Sequence, residues 1–87
     1  MTFAIEFKPQ AEEDLSRLDK TIAQNISNKI DWLSQNMESI IPAPLKGKFK
    51  GKYKLRIGDW RVIYSFDYSL KIITIYAIRH RREVYKI

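Results

Sequence analysis

The sequence Tyr53-Lys54-Leu55-Arg56-Ile57-Gly58-Asp59-Trp60-Arg61-Val62-Ile63-Tyr64 contains two alternating segments joined by a Gly-Asp pair. Such a pair between alternating apolar and polar residues is typical of a two-residue hairpin turn, in which Gly58 adopts a positive φ. In the register that follows, Arg56 lies opposite Arg61 and Lys54 lies opposite Ile63. The sequence therefore predicts an antiparallel hairpin with a defined pairing.

Side chains alternate between the two faces of this predicted hairpin. One face receives a continuous apolar set, which we expect to form the core: Tyr53, Leu55, Ile57, Trp60, Val62, Tyr64 and Phe66. The other face receives four cations: Lys52, Lys54, Arg56 and Arg61. We expect the ring of Trp60 to be buried and the side chain of Arg61 to be exposed.

Two amphipathic helices are predicted before the hairpin. Residues 2 to 7 alternate and indicate a strand, and Pro9 then suits the first turn of a helix. A second helix carries apolar residues at helical spacing: Ile22, Ile26, Ile30, Leu33 and Met37. The break near Asp19-Lys20 is weak, so a tight helical hairpin and a kinked single helix both fit the pattern.

The order of these elements predicts an α+β fold. Pro42 and Pro44 end the helical region, and three strand candidates follow at residues 52–57, 60–66 and 71–78. We expect one domain over residues 1–87, with the order β-α-α-β-β-β. An N-terminal strand and a two-helix hairpin precede a three-stranded antiparallel sheet, and both helices cover one face of that sheet.

Composition excludes several classes of protein. The chain has 87 residues, no cysteine and one histidine, so disulfides and thiolate or multi-histidine metal sites are not expected. We expect no cofactor and no metal. No signal peptide or apolar membrane-spanning segment is visible, which makes a cytoplasmic location the expectation.

Charge is distributed unevenly along the sequence. Residues 1–44 hold four Lys/Arg and seven Asp/Glu, whereas residues 45–87 hold twelve and three. This asymmetry favours an anionic partner such as nucleic acid, and the alternative is a merely solvated basic surface. Arg56 opposite Arg61 supports the first interpretation, because like charges paired across a sheet destabilise it unless an anion such as phosphate bridges them.

The C-terminal segment adds a second group of cations. Arg79, His80, Arg81 and Arg82 are followed by Tyr85, whose ring could stack on an unpaired base or serve as an ordinary surface residue. A nuclease built from these residues would act electrostatically, with cations stabilising the transition state. A group of modest basicity would have to deprotonate the 2′-hydroxyl, and Lys54 is one candidate for it.

The sequence resembles the RelE/ParE toxin superfamily. The resemblance covers the hairpin, the preceding Pro44-Leu45-Lys46-Gly47, the closing His80-Arg81-Arg82-Glu83-Val84-Tyr85, and the order of elements. The RelE branch implies the toxin of a toxin–antitoxin pair, a metal-independent endoribonuclease (mRNA interferase) that cleaves mRNA in the ribosomal A site. The ParE branch shares the fold and inhibits DNA gyrase by protein binding, which is the alternative function. A non-catalytic RNA-binding module is a third.

The resemblance also implies roles for individual residues. The expected catalytic residues are Lys54, Arg61, Arg81 and Tyr85, and the expected substrate-binding residues are Lys52, Arg56, Arg79, His80 and Arg82. The resemblance implies that one of Arg79, Arg81 and Arg82 helps the 5′-oxygen leave, and we favour Arg81. The general base stays open among Lys52, Lys54 and Tyr85. The chain departs from relatives that end in a His-Tyr pair. The implied partners are a cognate antitoxin, the ribosome and mRNA, with no membrane and no metal.

Overall fold

One sheet of five strands runs through residues 2–85, the part of the chain that the computed structural model describes, with only the backbone described for Tyr85. The strand order is β1-β5-β4-β3-β2. The strands are β1 (Ala4–Phe7), β2 (Ala43–Pro44), β3 (Tyr53–Ile57), β4 (Trp60–Asp67) and β5 (Ile72–His80). The helices are α1 (Pro9–Ser16), α2 (Lys20–Asn36) and α3 (Arg81–Tyr85), with 3-10 turns at Met37–Ser39 and Gly47–Phe49.

The predicted α+β class and the predicted hairpin register are both confirmed. Arg56 lies opposite Arg61, and Lys54 lies opposite Ile63. Gly58 has a φ of 57°, as the two-residue turn requires. The pairing of β3 with β4 therefore follows directly from the alternation of residues 53–64.

The strand count was too low in the sequence analysis. β1 joins the same sheet by parallel pairing with β5, and Ala43–Pro44 adds a two-residue edge strand beside β3. The first pairing joins residues about 68 positions apart, such as Ala4 and Ile72, so no local pattern marks it. A proline is tolerated in the second because that strand lies at the sheet edge.

The weak break near Asp19-Lys20 separates two helices, because α1 ends at Ser16 and α2 begins at Lys20. Asp19 caps the first turn of α2, and its carboxylate accepts a hydrogen bond of 3.0 Å from the backbone amide of Ile22. The tight helical hairpin is thus confirmed against the kinked single helix. The N-terminal turn of α1 contains Pro9, as expected.

The two helices pack against one face of the sheet, which we call the inner face. Its core contains the fully buried residues Phe3, Ala11, Ile26, Ile30, Leu33, Met37, Val62, Tyr64, Ile73 and Ile75. Trp60 packs against this core, as its position on the apolar face of the hairpin predicts, but its ring is only partly buried rather than buried as expected. Trp60 lies beside the turn at the end of the sheet, where few residues are available to cover it.

A second, smaller core lies on the opposite face, which we call the outer face. Ile63, Ala77 and Val84 are buried there, and Leu45, Phe49 and Tyr76 pack against them. The residues 45–49 and helix α3 thus cover part of a face that the sequence predicted to be cationic and exposed. Among residues 2–85, no helix is long and apolar enough to cross a membrane.

Candidate functional site

Three cations lie immediately before and along β3, and we call Lys52, Lys54 and Arg56 the cationic row. They occupy alternate positions, so they share the outer face of the sheet at a spacing of about 7 Å per pair of residues. Arg56 is exposed, and both lysines are half-buried. The strand register places further arginines beside this row, because Arg56 of β3 pairs with Arg61 of β4, and Arg61 pairs with Arg79 of β5.

The first lysine of the row lies over an aromatic ring. Lys52 Nζ is 4.6 Å from the centroid of the Tyr76 ring, and the Tyr76 hydroxyl is 3.0 Å from Ser65 Oγ. Contact with the ring face stabilises the ammonium group and restricts its position. Lys52 is therefore held at the outer face rather than extended into solvent.

Arg61 is buried, which corrects the expectation that its side chain is exposed. Only 3% of the residue is accessible. Its Nη1 donates hydrogen bonds to the carbonyl oxygens of Gly58, at 2.9 Å, and Trp60, at 2.8 Å. The hairpin turn presents carbonyls toward the first residues of β4, so the guanidinium folds back onto the turn. A positive charge is thereby fixed beside Arg56.

Arg79 makes an ion-pair network at the edge of the sheet. Its guanidinium pairs with Asp14 of α1, and its Nε lies 3.8 Å from Glu83 Oε2 of α3. Asp14 also accepts hydrogen bonds of 2.9 Å from the amide of Ile78 and from Gln10. The charge of Arg79 is balanced there, so its expected role in substrate binding has no support from these contacts.

The C-terminal cations lie next to the hairpin turn. The Arg81 amide donates to the carbonyl of Asp59 at 2.8 Å, and Arg81 Nε lies 3.7 Å from Asp59 Oδ1. Arg81 and Arg82 are exposed, whereas His80 is half-buried with its ring 5.4 Å from that of Trp60 in an edge-to-face contact. The side chain of Tyr85 lies outside the described residues, and its expected role stays a prediction.

The structure therefore divides the expected site residues into two groups. The first group shares the outer face of β3 and β4 and consists of Lys52, Lys54, Arg56 and Arg61. The second group lies at the end of β5 and the start of α3 and consists of Arg79, His80, Arg81 and Arg82. Asp14 was missed in the sequence. Its signal was its position, because Ala11, Asp14, Leu15 and Leu18 follow helical spacing and place this carboxylate on the buried face of α1.

The α+β domain carries its helical hairpin on one sheet face and a group of cations on the other. Residues 5–85 match the family described as the ParE toxin of the type II toxin–antitoxin system parDE. The chain therefore belongs to this family and is a toxin of a type II toxin–antitoxin system. A RelE-like toxin protein of Escherichia coli is 31% identical, covering 100% of this chain and 94% of the relative.

Solved structures show the same fold. The toxin–antitoxin complex RelBE2 of Mycobacterium tuberculosis contains a chain with a TM-score of 0.81 and 23% identity, and 93% of each chain is covered. The archaeal RelE–RelB complex of Pyrococcus horikoshii gives a TM-score of 0.73 and 26% identity, covering 93% of this chain and 97% of that one. Both of those structures contain an antitoxin together with the toxin.

Proposed function

We propose that this toxin is a ribosome-dependent endoribonuclease that cleaves mRNA in the A site without a metal ion. The observation that carries the proposal is the grouping of Lys54, Arg56 and Arg61 on the outer face. Arg56 is exposed, and Arg61 is held beside it by two carbonyl oxygens. Guanidinium groups match phosphate oxygens in geometry and charge.

The proposed reaction is an internal transfer at the scissile phosphate. A base removes the proton from the ribose 2′-hydroxyl, and the resulting oxygen attacks the adjacent phosphorus. The bond from phosphorus to the 5′-oxygen breaks, and that oxygen takes up a proton. The products are a 2′,3′-cyclic phosphate and a 5′-hydroxyl, so no other reactant is needed.

Each proposed catalytic residue has a distinct task. Lys52, Lys54 and Tyr85 are the candidates for the base. Arg61 is buried against the turn, so it contributes its positive charge from beside Arg56 to the developing charge on the phosphorane oxygens. Arg81 assists the leaving 5′-oxygen, since it is exposed next to the hairpin turn. Arg56 is permanently protonated, so it binds phosphate and does not act as the base.

The proposed partners are a cognate antitoxin, the ribosome and mRNA, in the cytoplasm. The solved complexes of similar toxins with antitoxins support the first of these. An antitoxin segment that covers the cationic row needs acidic residues to meet the charges there, and an amphipathic helix would supply them. Covering this row would keep mRNA away from Lys54 and Arg56.

Primer extension on a reporter mRNA, after induction of the toxin in growing cells, tests this function. We expect cuts at defined codon positions with the wild-type protein. Lys54→Gln should weaken them by at least ~10²-fold if it removes the base or a transition-state cation. Lys20→Gln, an exposed lysine on α2, is the matched control and should cut like wild type.

A gyrase inhibitor is the second candidate, and the match to the ParE family favours it. That function acts by protein binding and does not need the cationic row. Growth arrest with intact mRNA, equally strong with Lys54→Gln, would establish it in place of the nuclease. Intact mRNA without growth arrest would indicate a non-catalytic RNA-binding module.

A further inference from the structure

A tyrosine of β5 lies beneath the first lysine of the cationic row. Lys52 Nζ is 4.6 Å from the centroid of the Tyr76 ring, and the Tyr76 hydroxyl is 3.0 Å from Ser65 Oγ of β4. All three residues are half-buried. The proposed cleavage gives Lys52 a task, but it gives none to Tyr76 or Ser65.

The position of Tyr76 results from an irregularity in the sheet. Ile63 of β4 pairs with Ala77 of β5. The next residue, Tyr64, pairs with Ile75 rather than with Tyr76. Tyr76 is therefore the extra residue of a β-bulge, a feature that redirects side chains and is common beside active sites. The bulge lets Tyr76 pack on the outer face together with its neighbour Ala77.

The backbone of Lys52 is held independently of its side chain. Its amide donates to the Phe49 carbonyl at 3.0 Å, and its carbonyl accepts from the Leu45 amide at 2.9 Å. A lysine has a flexible four-carbon stem, so a fixed backbone alone leaves its ammonium group many positions. The Tyr76 ring attracts the ammonium group, and the hydrogen bond to Ser65 restricts the ring. Both ends of the Lys52 side chain are thus located.

We propose that Tyr76, held by Ser65, is a positioning residue that places the Lys52 ammonium group for the cleavage reaction. This assignment rests on the proposed function, in which Lys52 is a substrate-binding cation and a candidate for the base. A misplacement of about 1 Å in a reacting group can cost ~10²-fold in rate. Tyr76 therefore acts on the chemical step through Lys52 and does not itself touch the reacting atoms.

Packing alone does not account for a tyrosine at this position. The ring packs against the buried residues Ile63, Ala77 and Val84, and an aliphatic side chain would also fill that space. A leucine has neither a ring face for a cation nor a hydroxyl group. Substitutions that separate packing from these two polar contacts therefore test the assignment.

The first measurement is the rate at which purified toxin cuts a defined mRNA on programmed ribosomes. We expect Tyr76→Leu to lower the rate at saturating toxin by at least ~10-fold, with the half-saturating concentration nearly unchanged. Tyr76→Phe keeps the ring face and should restore most of the rate. Tyr68→Leu is the matched control and should cut like wild type. Tyr68 also lies under a lysine, with Lys71 Nζ at 5.6 Å, but in the turn between β4 and β5.

A double-mutant cycle separates positioning from a merely structural role. Lys52→Met removes the ammonium group and should itself lower the rate. If Tyr76 acts through Lys52, Tyr76→Leu adds no further loss in the Lys52→Met protein. An equal loss in both backgrounds would overturn the assignment. A wild-type rate in Lys52→Met would overturn it as well.

A nuclear magnetic resonance measurement on the toxin alone tests the geometry without cleavage. The ring current of Tyr76 should shift the Lys52 Cε protons upfield, and unshifted protons in the wild-type protein would overturn the assignment. Ser65→Ala leaves the packed ring in place, so it serves where Tyr76→Leu does not fold. This variant should reduce the upfield shift and the cleavage rate together, and an unchanged rate despite a reduced shift would oppose the assignment.

The outcomes distinguish this assignment from the function on which it rests. If the wild-type protein cuts mRNA and Tyr76→Leu cuts equally well, only the task of Tyr76 is refuted. If the wild-type protein shows the upfield shift of the Lys52 protons but cuts no mRNA, the proposed function is refuted and the assignment falls with it.

Discussion

Replacing Asp14 with asparagine tests the contact that ties α1 to the end of the sheet. The residue is 9% exposed, and its carboxylate accepts from the Ile78 amide, from Gln10 and from Arg79. An asparagine has one acceptor oxygen, so its amino group must face a donor on one side and at least one of these bonds is lost. A hydrogen bond to a charged group contributes about 1.5–3 kcal/mol.

The magnitude is limited by the solvent around Arg79, whose side chain is 27% exposed. A fully buried pair would lose about 3–5 kcal/mol on removal of one partner, and partial exposure reduces that cost. We therefore expect Asp14→Asn to lower the free energy of unfolding by about 2 kcal/mol. Glu13→Gln is the matched control, because Glu13 is exposed on the same helix and pairs only locally, with Arg17 at 2.5 Å.

Two measurements check this prediction. Urea denaturation gives the free energy of unfolding, and hydrogen–deuterium exchange reports the backbone amides of residues 81–85. A helix of five residues has little stability of its own, so α3 depends on Val84 and on the Arg79–Glu83 contact. Faster exchange there in Asp14→Asn, but not in Glu13→Gln, is the expected result. Equal stability and equal exchange in the two variants would refute the reasoning.

Three further perturbations follow from the structure. Ile63→Ala should lower the free energy of unfolding by about 2–5 kcal/mol in urea titration, because Ile63 is fully buried in the outer-face core. A loss below about 1 kcal/mol would mean that this core is not well packed. Arg61→Ala should cost about 1–3 kcal/mol in thermal or urea unfolding, because two carbonyl acceptors lose their donor, whereas an unchanged stability would contradict the burial of Arg61. Burial raises the pKa of Tyr64 from 10.0 to about 12, so the folded state holds this proton more tightly. The stabilisation that the protonated Tyr64 gives the folded state is complete below pH 10 and is lost as the pH rises to about 12. In a pH series of urea titrations, Tyr64→Phe should therefore flatten the alkaline decline in the free energy of unfolding. An equally steep decline in the variant would show that Tyr64 is not its cause.

The hairpin at Gly58-Asp59 could be predicted from the sequence because its information is local. The turn residues and the alternation on both sides determine which residues face each other, and a shift of one residue would move Arg56 and Arg61 into the core. The helical hairpin was also predictable, although its break needed the capping contact of Asp19 to be recognised.

Long-range features of the site could not be predicted in the same way. The burial of Arg61 depends on how its flexible side chain folds back onto the turn, and alternation determines only the face from which a side chain starts. The pairing of Arg79 with Asp14 joins positions 65 residues apart. The outer-face core was not predicted because Leu45 and Phe49 come from a loop and Val84 from a short helix. Their contacts with Ile63 and Ala77 depend on how these segments fold back onto the sheet.

The proposed reaction is cleavage of ribosome-bound mRNA by attack of the ribose 2′-hydroxyl. The most direct measurement uses purified toxin and ribosomes programmed with a defined mRNA, in an all-ribose form and in a form with one 2′-deoxynucleotide at the cleavage position. We predict that the all-ribose mRNA is cut to a 2′,3′-cyclic phosphate and a 5′-hydroxyl, and that the deoxy form stays intact at that position. Equal cutting of both forms, or no cutting of either, would contradict it.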